Sequence, residues 1–237
     1  MIFQVSELFR YLNVFILQTF YSGFLFYLAY KILKRNLNRT TINLSLFYFS
    51  SGLGLFLSII FILISNSVLG IFIYYLAAYF ITFGPIFLVV FIQNLLNVHS
   101  SFPTKKNIIL IFLYGIILLF FLLLASITGA ITINASSNWI PTYSWLFLII
   151  LYIFFSLFVL LPTIIFSIRL YKTFKDKELK KKLMFFFIGI FGILTAFYGL
   201  ILYNTWHDSL FRLIWPIISL LTIPSGYLIY YGIGRDL

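Results

Sequence analysis

The chain contains no cysteine, and only 5 of its 237 residues are acidic. Without cysteine there are no disulfides, no thiolate nucleophiles and no cysteine-ligated metal. The two histidines, His99 and His207, fall at opposite ends of the spans defined below and cannot share a zinc ion. Charge of either sign is scarce: 9% of residues are Asp, Glu, Lys or Arg, against about a quarter in an average soluble domain. No lysine occurs beyond Lys182. The last helix therefore offers no amine for a retinal Schiff base, and no cofactor or metal is expected. No carboxylate falls inside an apolar run, where a proton relay would need one. The serine-rich stretch at 50–54 has no histidine at its depth, and the C-terminal Gly-Ile-Gly-Arg-Asp lacks a second membrane aspartate. These absences exclude the common membrane hydrolases, and no enzymatic activity is expected.

What remains is apolar. Hydrophobic residues make up 63% of the chain, in seven runs near 9–33, 42–64, 69–95, 107–128, 144–168, 183–203 and 211–233. Each is long enough to cross a hydrocarbon core of about 30 Å as a helix, which takes about 20 residues. None shows the alternating ten-residue pattern of a barrel strand. The expected fold is an all-α membrane protein, a single seven-helix transmembrane domain spanning 1–237. The first run has no basic leader and no small-residue cleavage site, so it reads as an uncleaved span.

The net charge of +11 belongs to the membrane rather than to nucleic acid. Fourteen of the 16 basic residues flank one set of ends: Lys31 to Arg39, Lys105 and Lys106, Arg169 to Lys182, and Arg235. The other side has Arg10 and Arg212. By the positive-inside rule the N-terminus lies outside and the C-terminus in the cytoplasm, as in a multi-pass protein of the plasma membrane. The inner stretch 169–182 pairs Asp176 with Lys180 and Glu178 with Lys182 at i,i+4, which extends the fifth and sixth helices inward. It serves as an anchor on anionic lipid or as a docking face for a cytoplasmic signalling protein, through Lys175, Lys180 and Arg235. Prolines 85, 162, 216 and 224 predict kinks.

Polar side chains in a lipid-facing bundle belong inside it. On the seventh helix Arg212, Trp215, Ser219, Thr222, Gly226 and Tyr230 recur at steps of three or four. Tyr75, Tyr79 and Thr82 do so on the third, and Asn43, Ser50, Gly54 and Ser58 on the second. Gln18 and Ser22 mark the first helix; Thr195 and Tyr198 mark the sixth. Depth then selects Gln18, Ser58, Tyr75, Tyr79, Thr82, Tyr198, Trp215 and Ser219 as the lining of an uncharged, aromatic pocket in the outer half. His207, Asp208 and Arg212 stand at its mouth. Such a lining suits a small neutral, amphipathic or lipid-like ligand. The same hydroxyls and rings also serve as ordinary interhelical glue and interfacial belts. Asp208 has a second role as the cap of the seventh helix, with Arg212 pairing to it or reaching outward.

Four segments carry a resemblance: "YKILKRNLNRTTINLSLFYFSSGLGL", "FGPIFLVVFIQNL", "RLYKTFKDKELKKKLMFFFIGI" and "IPSGYLIYYGIGRDL". In pattern the chain resembles the N-terminal seven-transmembrane sensor module of prokaryotic histidine kinases and related signalling proteins. That resemblance implies ligand or membrane-state sensing and an exit helix leading to a cytoplasmic output. No phosphoacceptor helix or ATP-binding domain follows Leu237, so a stand-alone sensor, a fragment or a subunit signalling through another protein is expected. Two other readings stay open: a small-solute transporter built as three plus one plus three helices, and a non-catalytic subunit of a membrane complex.

Overall fold

The structure, a computed structural model, describes residues 13–96 and 104–235. It is all-helical apart from one two-stranded hairpin. Six helices are long and apolar enough to cross a membrane, which makes this a multi-pass integral membrane protein. We number the helices from the shorter one that precedes these six. In α1 a π-helical turn, Asn13–Gln18, runs into Thr19–Leu33. Then come α2 (Arg39–Leu63), α3 (Val68–Leu96), α4 (Thr104–Thr128), α5 (Trp145–Thr173), α6 (Lys177–Thr205) and α7 (Ser209–Gly234). The start of the first expected run, Arg10 and His99 lie outside the described residues.

The helix ends follow local capping chemistry. Asn38 caps α2, its side chain accepting from the Thr41 amide while the Thr41 hydroxyl accepts from the Asn38 amide, a reciprocal capping box. Asp176 caps α6 by accepting from the Glu178 amide at 2.7 Å. That corrects the expected Asp176–Lys180 pair, because Lys180 instead lies over the Tyr171 ring. The Glu178–Lys182 pair is present at 3.8 Å. Gly129, at φ 67°, ends α4 in the left-handed conformation that a Cβ disfavours.

At the centre stands α3. Nine consecutive residues, Gly84 to Ile92, are buried on every side, in contact with α2 and α5 and, through Phe91, with Phe186 of α6. By contrast α4 shows Ile108, Ile109, Phe112, Ile116 and Phe120 to the surroundings, a face for lipid tails. Helices are joined by hydroxyls donating to backbone carbonyls: Ser22 to Gly52, Ser50 to Phe80, Tyr48 to Gly226, Tyr114 to Thr82 and Tyr152 to Tyr198, at 2.6–2.9 Å. Lipid supplies no hydrophobic drive between helices, so such bonds and close packing of small residues hold the bundle.

The prolines act unequally. Pro85 is carried inside a continuous α3. Pro162 follows a π-helical turn, Ser156–Leu160, in α5. α7 is interrupted at Leu220–Leu221, between Ser209–Ser219 and Thr222–Ile229. The interruption precedes Pro224, whose ring would clash with the carbonyl of Leu220 in a continuous helix.

Candidate functional site

A cavity of about 300 Å³ opens between α1, α2, α3, α6 and α7, in the end of the bundle opposite the basic residues. Its volume matches the space of about ten water molecules in the liquid and falls at the lower end of small-molecule sites. The floor is apolar, with Leu25 and Phe47; the walls carry Ile81, Phe197 and Leu200. No charged side chain among the described residues lines it. The break in α7 forms part of the wall, with Ser219, Leu220, Thr222 and Ile223 around it.

Most of the polar lining is already paired. The Tyr21 hydroxyl donates to the Thr222 carbonyl at 2.9 Å. Ser58 donates to Gly54 and Ser219 to Pro216, each within its own helix. Two atoms differ. Gln18 Oε1 and Ser51 Oγ are buried with no hydrogen-bond partner among the described residues. Ser51 Oγ sits where Gly84 leaves room, since a Cβ on Gly84 would come within 2.9 Å of it. Burying such groups unpaired costs about 1–3 kcal/mol each, a cost that a bound molecule with matching hydroxyl or N–H groups removes.

The hairpin between α4 and α5 roofs the cavity with Ile140 and Pro141. Its ladder pairs Ile131 with Tyr143 and Thr132 with Thr142. Asn134 caps a single 3-10 turn, and Asn138 and Trp139 both take the left-handed conformation to close it. Tyr143 pins the roof, hydrogen-bonded to Tyr74 of α3 and to Asn204 of α6. Burial pushes its phenol up to about 12, so it keeps its proton across the physiological range.

Four of the residues expected from sequence line this cavity: Gln18, Ser58, Trp215 and Ser219. The rest lie elsewhere. Tyr79 faces a shallow groove against α4, with Phe83 and Gly115. Tyr75 is half-buried and hydrogen-bonded to Ser126 of α4. Thr82 donates to its own Ala78 carbonyl at 2.6 Å. The Tyr198 hydroxyl bonds Ser156 of α5 at 2.5 Å. Asp208 caps α7, accepting from the Phe211 amide at 2.8 Å. Tyr21, Ser51, Tyr74 and Asn204 line the cavity without having been expected there.

Arg212 turns to His207 Nδ1 and lies over the Tyr203 ring, and no ion pair joins it to Asp208. Partial burial, and then the Arg212 cation, lower the affinity of His207 for a proton below its ordinary pKa of 6.5. Above pH 6.5 the ring is neutral folded or unfolded, so it does not alter stability. As the pH falls below 6.5 the unfolded chain takes up a proton that the folded loop resists, and stability declines. Replacing His207 with Gln should flatten the fall in melting temperature between pH 7 and pH 5; an unchanged slope would refute this account of the cluster.

No family model, curated protein or solved structure gives a significant match to the chain.

Proposed function

We propose that the chain is a receptor-like integral membrane protein whose cavity takes a small, uncharged, amphipathic molecule and whose inner end signals to a cytoplasmic partner. One observation carries the reading. The two unpaired polar atoms, Gln18 Oε1 and Ser51 Oγ, belong to residues that line the same cavity as the interruption in α7. A ligand there contacts α7 where its regular helix is interrupted, so its binding energy favours one packing of α7 over another. Just past the inner end of α7 the Arg235 carbonyl accepts from Arg35, in the turn that follows α1. The exposed Lys175 and the half-buried Lys180 lie at the same end. The distribution of basic residues supports an outside N-terminus and a cytoplasmic C-terminus in the plasma membrane. Nothing in the site calls for chemistry on the ligand, and we take the protein to be no enzyme. The likeness to kinase-linked sensor modules remains one of pattern.

Decan-1-ol, an uncharged probe of about the cavity's size, should raise the melting temperature of the purified protein in detergent, while decanoate should not. The shift should be lost in Ser51→Ala and Gln18→Leu. Equal effects of the two probes, or shifts that survive both substitutions, would overturn the reading. A second reading rests on the same broken helix, because discontinuous helices beside a mid-membrane cavity also serve transporters. Saturable uptake of a neutral solute by proteoliposomes would favour it.

A further inference from the structure

Among the described residues the cavity has a roof but is open on one side. Ile140 and Pro141 cover it from the end away from the basic residues, and Tyr143 ties that cover to α3 and α6. Laterally the situation is different. α1 packs along α2, and α7 packs along α6, whereas α1 and α7 touch only from Tyr21 towards the basic end among the described residues. They meet through the Tyr21–Thr222 hydrogen bond, through Leu25 beside Gly226 and through Lys31 over the Tyr230 ring, with Arg35 and Arg235 joined just beyond the two helices. Outward of Tyr21 the gap is edged by Leu17 and Gln18 on one side and Ser219 and Leu220 on the other. Between Ser209 and Pro224 of α7, Trp215 alone is buried. Leu220 lines the cavity and is 37% exposed.

Polarity within the site is graded in the same direction. Leu17 and Leu220 stand at the gap beside Gln18 and Ser219, whereas Ser51 stands deeper, beside Gly52, which receives the Ser22 hydroxyl. Gln18 precedes Ser22 by four residues, or about 6 Å of helix rise. The two unpaired atoms are therefore stacked at two depths about one helical turn apart. A carboxylate or phosphate would find no counter-charge among the described lining residues, and would enter at a large desolvation cost.

From this geometry we infer that the ligand is a neutral single-chain lipid with a head bearing more than one hydroxyl, entering sideways from the bilayer between α1 and α7. The inference rests on the cavity being a ligand site. The head and the first chain carbons occupy the 300 Å³, one hydroxyl donating to Gln18 Oε1 and a second to Ser51 Oγ. The chain leaves past Leu17 and Leu220 into the surrounding lipid tails. A monoacylglycerol has this chemistry.

Trp215, 8% exposed and facing the cavity, supplies the reporter. In proteoliposomes of the Trp139→Phe, Trp145→Phe, Trp206→Phe variant, a monoacylglycerol brominated on the first chain carbons should quench Trp215 saturably at a few mole per cent. A phosphatidylglycerol brominated at the same carbons should quench weakly and linearly. Gln18→Leu and Ser51→Ala, each checked for an unchanged melting temperature, should raise the half-saturating fraction about tenfold. Equal, unsaturable quenching by both lipids would overturn the inference. If short-chain, water-soluble monobutyrin perturbs Trp215 emission in a Ser51-dependent way while the long-chain lipid does not, lateral entry fails but the cavity remains a ligand site. If neither probe acts, the ligand site fails as well.

Discussion

Gly189→Val is expected to drive α7 off α6 and to produce a large stability loss. A Cβ on Gly189 would lie 2.5 Å from the Ser225 carbonyl oxygen and 2.8 Å from the Ile229 amide nitrogen. Both are backbone atoms, so no side chain can swing aside to make room. Overpacking that side chains can absorb costs about 1–3 kcal/mol, and a backbone collision belongs at or above the top of that range. The same seam is held at the basic end by Gly232, whose Cβ would come within 2.7 Å of both the Phe186 amide and the Lys182 carbonyl. Since α7 also receives Tyr48 and Tyr21, its displacement should loosen both bonds. Thermal unfolding in detergent measures the effect. Gly23→Val is the control, because a Cβ there meets nothing within 4 Å and should change the melting temperature little. Equal losses at the two glycines would show that the α6–α7 seam has no special role.

How far the site can be read from sequence depends on how each helix is buried. α1 and α7 have one packed side, so their polar stripe is also their inner stripe. Gln18, Trp215 and Ser219 reach the cavity as periodicity suggests, and Gly226 receives the Tyr48 hydroxyl. α3 is different because it is enclosed on nearly every side along its second half, and a polar stripe then does not distinguish the cavity from other neighbours. Tyr75, Tyr79 and Thr82 share a face turned towards α4, while Tyr74, one residue and about 100° away, faces the cavity. On α6 the same rotation separates Tyr198, bonded to Ser156 of α5, from Phe197 in the cavity wall. Thr82 shows why hydroxyls mislead: a threonine in a helix satisfies itself on the carbonyl four residues back, and so needs no interior site. The roof was illegible for another reason. The stretch from 128 to 144 has turn-forming and polar residues but no strand periodicity, and its ladder is only two residues long per strand. The break in α7 was half legible, since Pro224 announces a disturbance without locating it at Leu220.

The second large effect concerns the wall that separates α6 from the cavity. The Trp215 indole rests directly on Gly199: a Cβ there would lie 1.6 Å from the ring. Gly199→Ala therefore cannot keep the indole in place. The obstacle is the far end of one side chain, but Phe211 is stacked on the other side of it at 5.8 Å, with Trp206 beyond, so the ring escapes only by entering the cavity or the lipid. A loss of about 2–3 kcal/mol follows from overpacking of this kind, together with loss of any ligand that needs the cavity's full volume. Trp215→Ala alone should cost about 3–5 kcal/mol as a buried aromatic truncation. Residues in direct contact do not add. The double variant should be no less stable than Trp215→Ala by itself, because the collision disappears with the ring. A double variant destabilised by the sum of the two single changes would mean that the alanine at 199 meets something other than Trp215, and that the indole does not form this wall of the cavity.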